Sequence, residues 1–76
     1  MMELIELTKK ALDMRLDIYF SLTLKQQQEF NNNYQWQNIE HVLVEDFKKI
    51  TKSKRLISDL IKLKDLTSKI LVRGIS

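Results

Sequence analysis

The chain has no cysteine, no proline and a single glycine, Gly74. Without cysteine there is no disulfide staple and no thiolate metal site. One histidine, His41, cannot form a histidine cluster. The same absence of cysteine fits a reducing cytoplasmic setting. No stretch approaches the roughly 18 uninterrupted apolar residues that mark a membrane-span candidate. The N-terminus, Met1-Met2-Glu3-Leu4, starts acidic and has no long apolar run behind it, so no secretory signal is expected. There is no HExxH motif and no glycine-rich phosphate loop.

What is present is helical periodicity. Across residues 3–30 there is no helix breaker, and Leu4, Leu7, Ala11, Met14, Ile18 and Leu22 recur at steps of three and four, with Ile5, Leu12 and Tyr19 beside them. Leu16, Phe20 and Leu24 fall off that stripe at i, i+4 and i+8, which predicts a second apolar ridge on the far side of one long helix. Lys25–Glu29 is polar, and Asn31-Asn32-Asn33 supplies residues that tolerate the left-handed region, so residues 31–33 read as the hinge. Asn32 or Asn33 is placed to cap the second helix.

From Tyr34 onward a seven-residue spacing joins Trp36, Leu43, Ile50, Ile57, Lys64 and Leu71, with Ile39 and Leu60 at the intermediate positions. It predicts one helix over 34–73, with Gly74 just past its end. A first helix of about 28 residues is roughly 42 Å long and a second of about 40 roughly 60 Å. The overhang carries Leu60, Leu63, Leu66, Ile70 and Leu71, and these need cover. The expected fold is therefore all-α, an antiparallel helical hairpin with a long second helix that assembles into a bundle. The alternative is a three-helix bundle with a break near residues 51–54, capped by Thr51 or Ser53. A chain of 76 residues buries a modest core, so self-association into a homo-oligomer, a homodimer being simplest, is the expected staple.

Chemistry needs paired titratable groups in a pocket, and here the acids are spread along polar faces. His41 and Glu45 lie at i, i+4, but two ligands fall short of a zinc site. No enzymatic activity, catalytic residue, cofactor or metal is expected. Charge is uneven. Residues 1–50 hold six basic and eight acidic residues, a net of −2, whereas residues 51–76 hold seven basic and two acidic, a net of +5. Lys52, Lys54, Arg55, Lys62 and Lys69 are the candidates for a nucleic-acid or other polyanion contact, although no aromatic interleaves them.

The run Ile18-Tyr19-Phe20-Ser21-Leu22-Thr23-Leu24-Lys25-Gln26-Gln27, then Tyr34-Gln35-Trp36, then Ile39 and Val42-Leu43-Val44-Glu45-Asp46-Phe47-Lys48-Lys49-Ile50, resembles the small helical chaperones of flagellar type III export over residues 16–61. Asp46 stands where that group commonly has arginine. The resemblance implies a cytoplasmic chaperone holding a helical segment of an exported subunit. The residues alone point to a protein-binding module, with Leu16, Phe20 and Leu24 as a groove for a partner helix and Tyr34 and Trp36 as hinge packing or interface anchors. Polyanion binding and a self-assembling coiled coil are the alternatives.

Overall fold

A computed structural model describes residues 3–75, with side-chain burial defined for residues 3–73. The protein is all-α. In chain order it comprises α1 (Leu4–Phe20), α2 (Leu24–Asn31), a 3-10 helix (Trp36–His41), α3 (Val44–Ile50) and α4 (Lys54–Ile75), with no strand among the described residues.

The first and last helices form the frame, and they run antiparallel. Arg55 at the start of α4 reaches Asp17 near the end of α1 (Nη1–Oδ2 3.8 Å), while Thr8 and Ala11 share a groove with Thr67, Ser68 and Leu71. The 3-10 helix packs on both, α3 packs on α4, and α2 packs on α3. At 22 residues α4 is roughly 33 Å long. That length accounts for most of the 39 Å long axis, and the other two extents are 21 and 19 Å.

The expected first helix over residues 3–30 is two helices, and a capping box explains why. Thr23 Oγ1 accepts the Gln26 backbone N–H (3.1 Å), and Gln26 Oε1 accepts the Thr23 backbone N–H (2.9 Å). This reciprocal pair satisfies two donors at a new helix start. Gln27 Nε2 donates to the carbonyls of Tyr19 (3.3 Å) and Leu22 (3.2 Å), so it ties off the end of α1 as well. The bend turns Leu22 into the core at 4% exposure.

The hinge is also displaced. Asn31 still belongs to α2, and Asn32 is its C-cap in the right-handed region (φ −65°, ψ −28°). None of the described non-glycine residues has positive φ, so the asparagines do not use the left-handed region that sequence reasoning gave them. Gln35 is extended and precedes the 3-10 helix without a side-chain cap, so neither Asn32 nor Asn33 caps a following helix.

The continuous helix over residues 34–73 is likewise replaced, by the 3-10 helix, α3 and α4. Val42 and Leu43 are extended (φ −70°, ψ 131° and φ −64°, ψ 140°), which drives Val42 fully inside and leaves Leu43 64% exposed. The second break is the one the alternative fold places near residues 51–54. Thr51 is extended (φ −135°, ψ 145°) and its Oγ1 accepts the Ser53 N–H (3.2 Å), and Ser53 Oγ accepts the Leu56 N–H (3.3 Å) as the cap of α4. Gly74 lies within the bounds of α4 rather than beyond it.

Of the expected seven-residue seam only the intermediate Ile39 and Leu60 are fully buried. Leu43 and Leu71 are exposed, and Trp36, Ile50, Ile57 and Lys64 are half-buried. The buried stripe of α4 is Leu56, Leu60, Leu63 and Leu66, with Ile70 packed against it, so its heptad runs one residue ahead of the expected one. Leu7, Ala11 and Ile18 of α1 meet that stripe, as the spacing of the first segment predicts, although Leu4, Ile5 and Leu12 stay exposed. Phe30, Ile39, Val42 and Phe47 complete the core from the short middle elements, each at 0% exposure.

A charged tie joins α1, the 3-10 helix and α4. Arg15 of α1 forks onto Glu40 of the 3-10 helix (Nε–Oε2 2.8 Å, Nη2–Oε1 3.1 Å), and Lys64 Nζ of α4 donates to the Glu40 carbonyl (2.8 Å). The paired side chains are only 18% and 10% exposed. Burial alone would raise the Glu40 carboxyl. The Arg15 hydrogen bond, the Glu40 backbone N–H and the charges of Arg15 and His41 outweigh burial and hold it below its ordinary 4.5.

Because the native carboxyl is the stronger acid, its share of stability is complete above the ordinary carboxylate range and is lost as pH falls through the depressed native value. Glu40→Gln is therefore expected to flatten the acid limb of the stability profile, read by urea unfolding at a series of pH values between about 3 and 7. An acid limb identical to that of the wild type would remove this linkage. Phe47→Ala is expected to cost about 3–5 kcal/mol, a large share of the total stability of a small domain. Circular dichroism should show a substantially unfolded population at room temperature.

Candidate functional site

A wide concavity follows from the break at residues 51–53. Where α3 ends and α4 begins, the chain turns through Thr51-Lys52-Ser53, and a groove of about 720 Å³ opens beside it. Its α4 wall is Lys54, Ile57, Ser58, Ile61 and Lys62, at i, i+3, i+4, i+7 and i+8. At about 100° per residue these share one helix face. Going round α4 from the core side, the order is Ile57, Ile61, Lys54, Ser58, Lys62, so the isoleucines form the floor and the lysines the outer margin. Lys48 of α3 and Lys52 of the turn form the opposite margin.

This is a second apolar stripe on α4, distinct from the buried leucines. Ile57 is half-buried and Ile61 is 51% exposed. Thr51 is buried at 4%, with its hydroxyl committed to the turn. None of the four lysines has a carboxylate within 4 Å among the described residues, whereas Lys49, Arg55 and Lys69 each do. Lys48, in the last turn of α3, also faces favourably toward that helix's C-terminal dipole. The groove thus combines an apolar floor with four uncompensated positive charges.

Of the five polyanion candidates, Lys52, Lys54 and Lys62 line this groove. Arg55 and Lys69 do not. Arg55 lies near Asp17 (3.8 Å) and Asp59 (3.6 Å) and donates to Ser21 Oγ (3.2 Å). Lys69 pairs with Asp65 (3.2 Å). Lys48, Ile57 and Ile61 were not singled out as site residues from the sequence. The signal for Ile57 and Ile61 is the i, i+3, i+4, i+7, i+8 set on α4, of which Ile57 also belongs to the expected seven-residue seam.

The proposed partner-binding residues lie elsewhere. Leu16 is half-buried on α1. Phe20, the last residue of α1, is 66% exposed and sets its ring edge-on to Tyr19 (centroids 5.3 Å). Leu24, the first residue of α2, is 77% exposed. The capping box between Phe20 and Leu24 breaks the helix that would have aligned the three as one ridge. Tyr34 lies half-buried against Phe30 (centroids 5.4 Å) and donates its hydroxyl to Asp46 Oδ2 (3.0 Å). That hydrogen bond, then burial and the Asp46 charge, raise the phenol above its ordinary 10.0. Trp36 is half-buried against the core, as the hinge-packing reading has it.

His41 stands beside Glu40 (Nε2–Oε1 3.6 Å), and Glu45 belongs to another helix, so the i, i+4 relation between them has no counterpart in space. No group of three His, Cys, Asp or Glu side chains is placed to hold a metal ion among the described residues. No helix among the described residues is long and apolar enough to cross a membrane. Comparison with protein-family models, with curated proteins and with solved structures finds no match for this chain.

Proposed function

We propose that this protein is a non-enzymatic binding module that holds a helical segment of a partner protein in the groove between α3 and α4. The observation that supports it is the apolar floor of Ile57 and Ile61, left open on a helix whose other stripe already serves the core. Open apolar grooves beside a helix suit an amphipathic partner helix, and burial of apolar area at about 25 cal/mol per Å² is the driving term before ordering costs. A chaperone-like role, in the cytoplasm and toward a flagellar export subunit, is what the family resemblance would add. That addition rests on the quoted residues of 16–61 alone.

A polyanion contact is the second reading, and the four unpaired lysines favour it. Salt separates the two: polyanion binding collapses between low and moderate salt, while apolar docking changes little. A long self-assembling coil loses its basis, because the continuous heptad helix is three separate elements.

Self-association is proposed on a different surface. Leu4 and Ile5 of α1 and Leu71 and Val72 of α4 remain exposed, near the end of the bundle where the two helices pair. Sedimentation velocity at micromolar concentration is expected to show a dimer; a monomer at all concentrations removes self-association and leaves the groove untouched.

For the groove, Ile61→Asp is the direct test. At 51% exposure the site tolerates the change, so the circular dichroism spectrum should stay that of the wild type. Partner proteins retained by the immobilised chain are expected to fall roughly tenfold with Ile61→Asp and to persist with Phe20→Ala, read by quantitative mass spectrometry. Equal recovery from Ile61→Asp and the wild type would rule out the groove.

A further inference from the structure

We infer that the occupant of the groove is an acidic amphipathic helix, with an apolar stripe on Ile57 and Ile61 and carboxylates along both of its margins. The inference rests on the groove reading above and identifies the partner's chemistry. Lys48 and Lys52 stand on one margin, Lys54 and Lys62 on the other, and none of the four has a carboxylate within 4 Å among the described residues. Elsewhere on the same surface the chain does pair its cations: Arg55 with Asp17 and Asp59, Lys69 with Asp65, Lys49 with Asp46. Among the cations of residues 48–69, those with neither an ion pair nor a side-chain hydrogen bond are therefore the four that line this concavity.

The spacing favours a helix. Lys54 and Lys62 are eight residues apart on α4, roughly 12 Å along its axis. A partner helix presents carboxylates of one margin at i and i+7 over about the same rise, beside the apolar stripe that meets the floor. A margin of positive charge on each side of the floor also fixes which partner faces enter, because a basic or neutral margin leaves the lysines unanswered. Double-stranded nucleic acid offers phosphates but nothing to cover the isoleucine floor. A bilayer surface is flat and meets protruding side chains, whereas these isoleucines lie in a concavity.

The test uses the full chain and three labelled synthetic helices with the same leucine stripe. Their margins carry glutamate, glutamine or lysine, and binding is read by fluorescence anisotropy. A DNA duplex and vesicles of phosphatidylglycerol in phosphatidylcholine are parallel arms. The glutamate helix is expected to bind at micromolar concentration, and the lysine helix roughly tenfold or more weakly. The double variant Lys54→Glu, Lys62→Glu should reverse the order, binding the lysine helix in preference. Ser58→Asp, which sets a carboxylate between those two lysines, should weaken the glutamate helix severalfold.

Both lysines and Ser58 are exposed, so the variants are expected to keep the wild-type circular dichroism spectrum. Equal binding of the three helices, with all of them lost in Ile61→Asp, overturns the acidic partner and keeps the groove. Indifference to Ile61→Asp as well overturns both. Failure of all three helices to bind, or tighter binding of the duplex or the anionic vesicles than of the glutamate helix, also overturns the inference.

Discussion

Sheltering the leucine stripe of α4 is the constraint on which the whole arrangement depends. Leu56, Leu60, Leu63 and Leu66 span half of a helix of 22 residues, and α1 packs along that helix from one side only, with the 3-10 helix and α3 on others. The chain between the two has to supply the remaining surface. It does so with short segments, each contributing one side chain at 0% exposure: Phe30 from α2, Ile39 from the 3-10 helix, Val42 from the turn after it and Phe47 from α3. A single facing rod would have covered the stripe from one side only. With no disulfide to lower the entropy of the unfolded chain, interior packing has to carry stability, and a small domain has little margin for gaps.

The breaks that make this folding-back possible are local hydrogen-bond choices. Thr23 with Gln26, Gln27 on the carbonyls of α1, Thr51 on the Ser53 amide and Ser53 on the Leu56 amide each offer the backbone an alternative to continued helix. Each alternative is worth about 1 kcal/mol, too little to end a helix that burial favours. Here burial favours the bend, since Leu22, Val42 and Thr51 reach the interior only at these corners. Local caps and tertiary packing agree at each of them, the consistency expected of a sequence that specifies one structure.

The groove is a by-product of the same geometry. Ending α3 at Ile50 and restarting at Lys54 lets α4 set off at a new angle, and a concavity opens where the two diverge. Its lining comes from the part of the chain where positive charge is densest. Charge along the chain is thereby converted into charge at a place. The same density on a straight helix would have been distributed around the rod and screened by solvent. Arg55 and Lys69 show the difference, since outside the groove they find carboxylates.

Helical content, the buried face of α1, the break after α2 and the basic character of the last third were all legible in the residues, because periodicity, propensity and net charge are local properties. The capping box Thr23-Leu24-Lys25-Gln26 was legible too, but its residues read equally well as a polar helix end. The heptad phase was not. Leu56, Leu63 and Ile70 and their neighbours Ile57, Lys64 and Leu71 run in parallel along α4, and which series faces inward depends on where α1 and the 3-10 helix lie. The lysine groove was out of reach for the same reason: Lys48 and Ile61 belong to different helices, and no spacing along the chain encodes the angle between them. Sequence determined that this chain is helical, which face of α1 it would bury and where its charge lies. Only the three-dimensional packing decided where the helices stop and which side chains meet, because marginal local preferences are resolved by the larger free energy of closing a shared core.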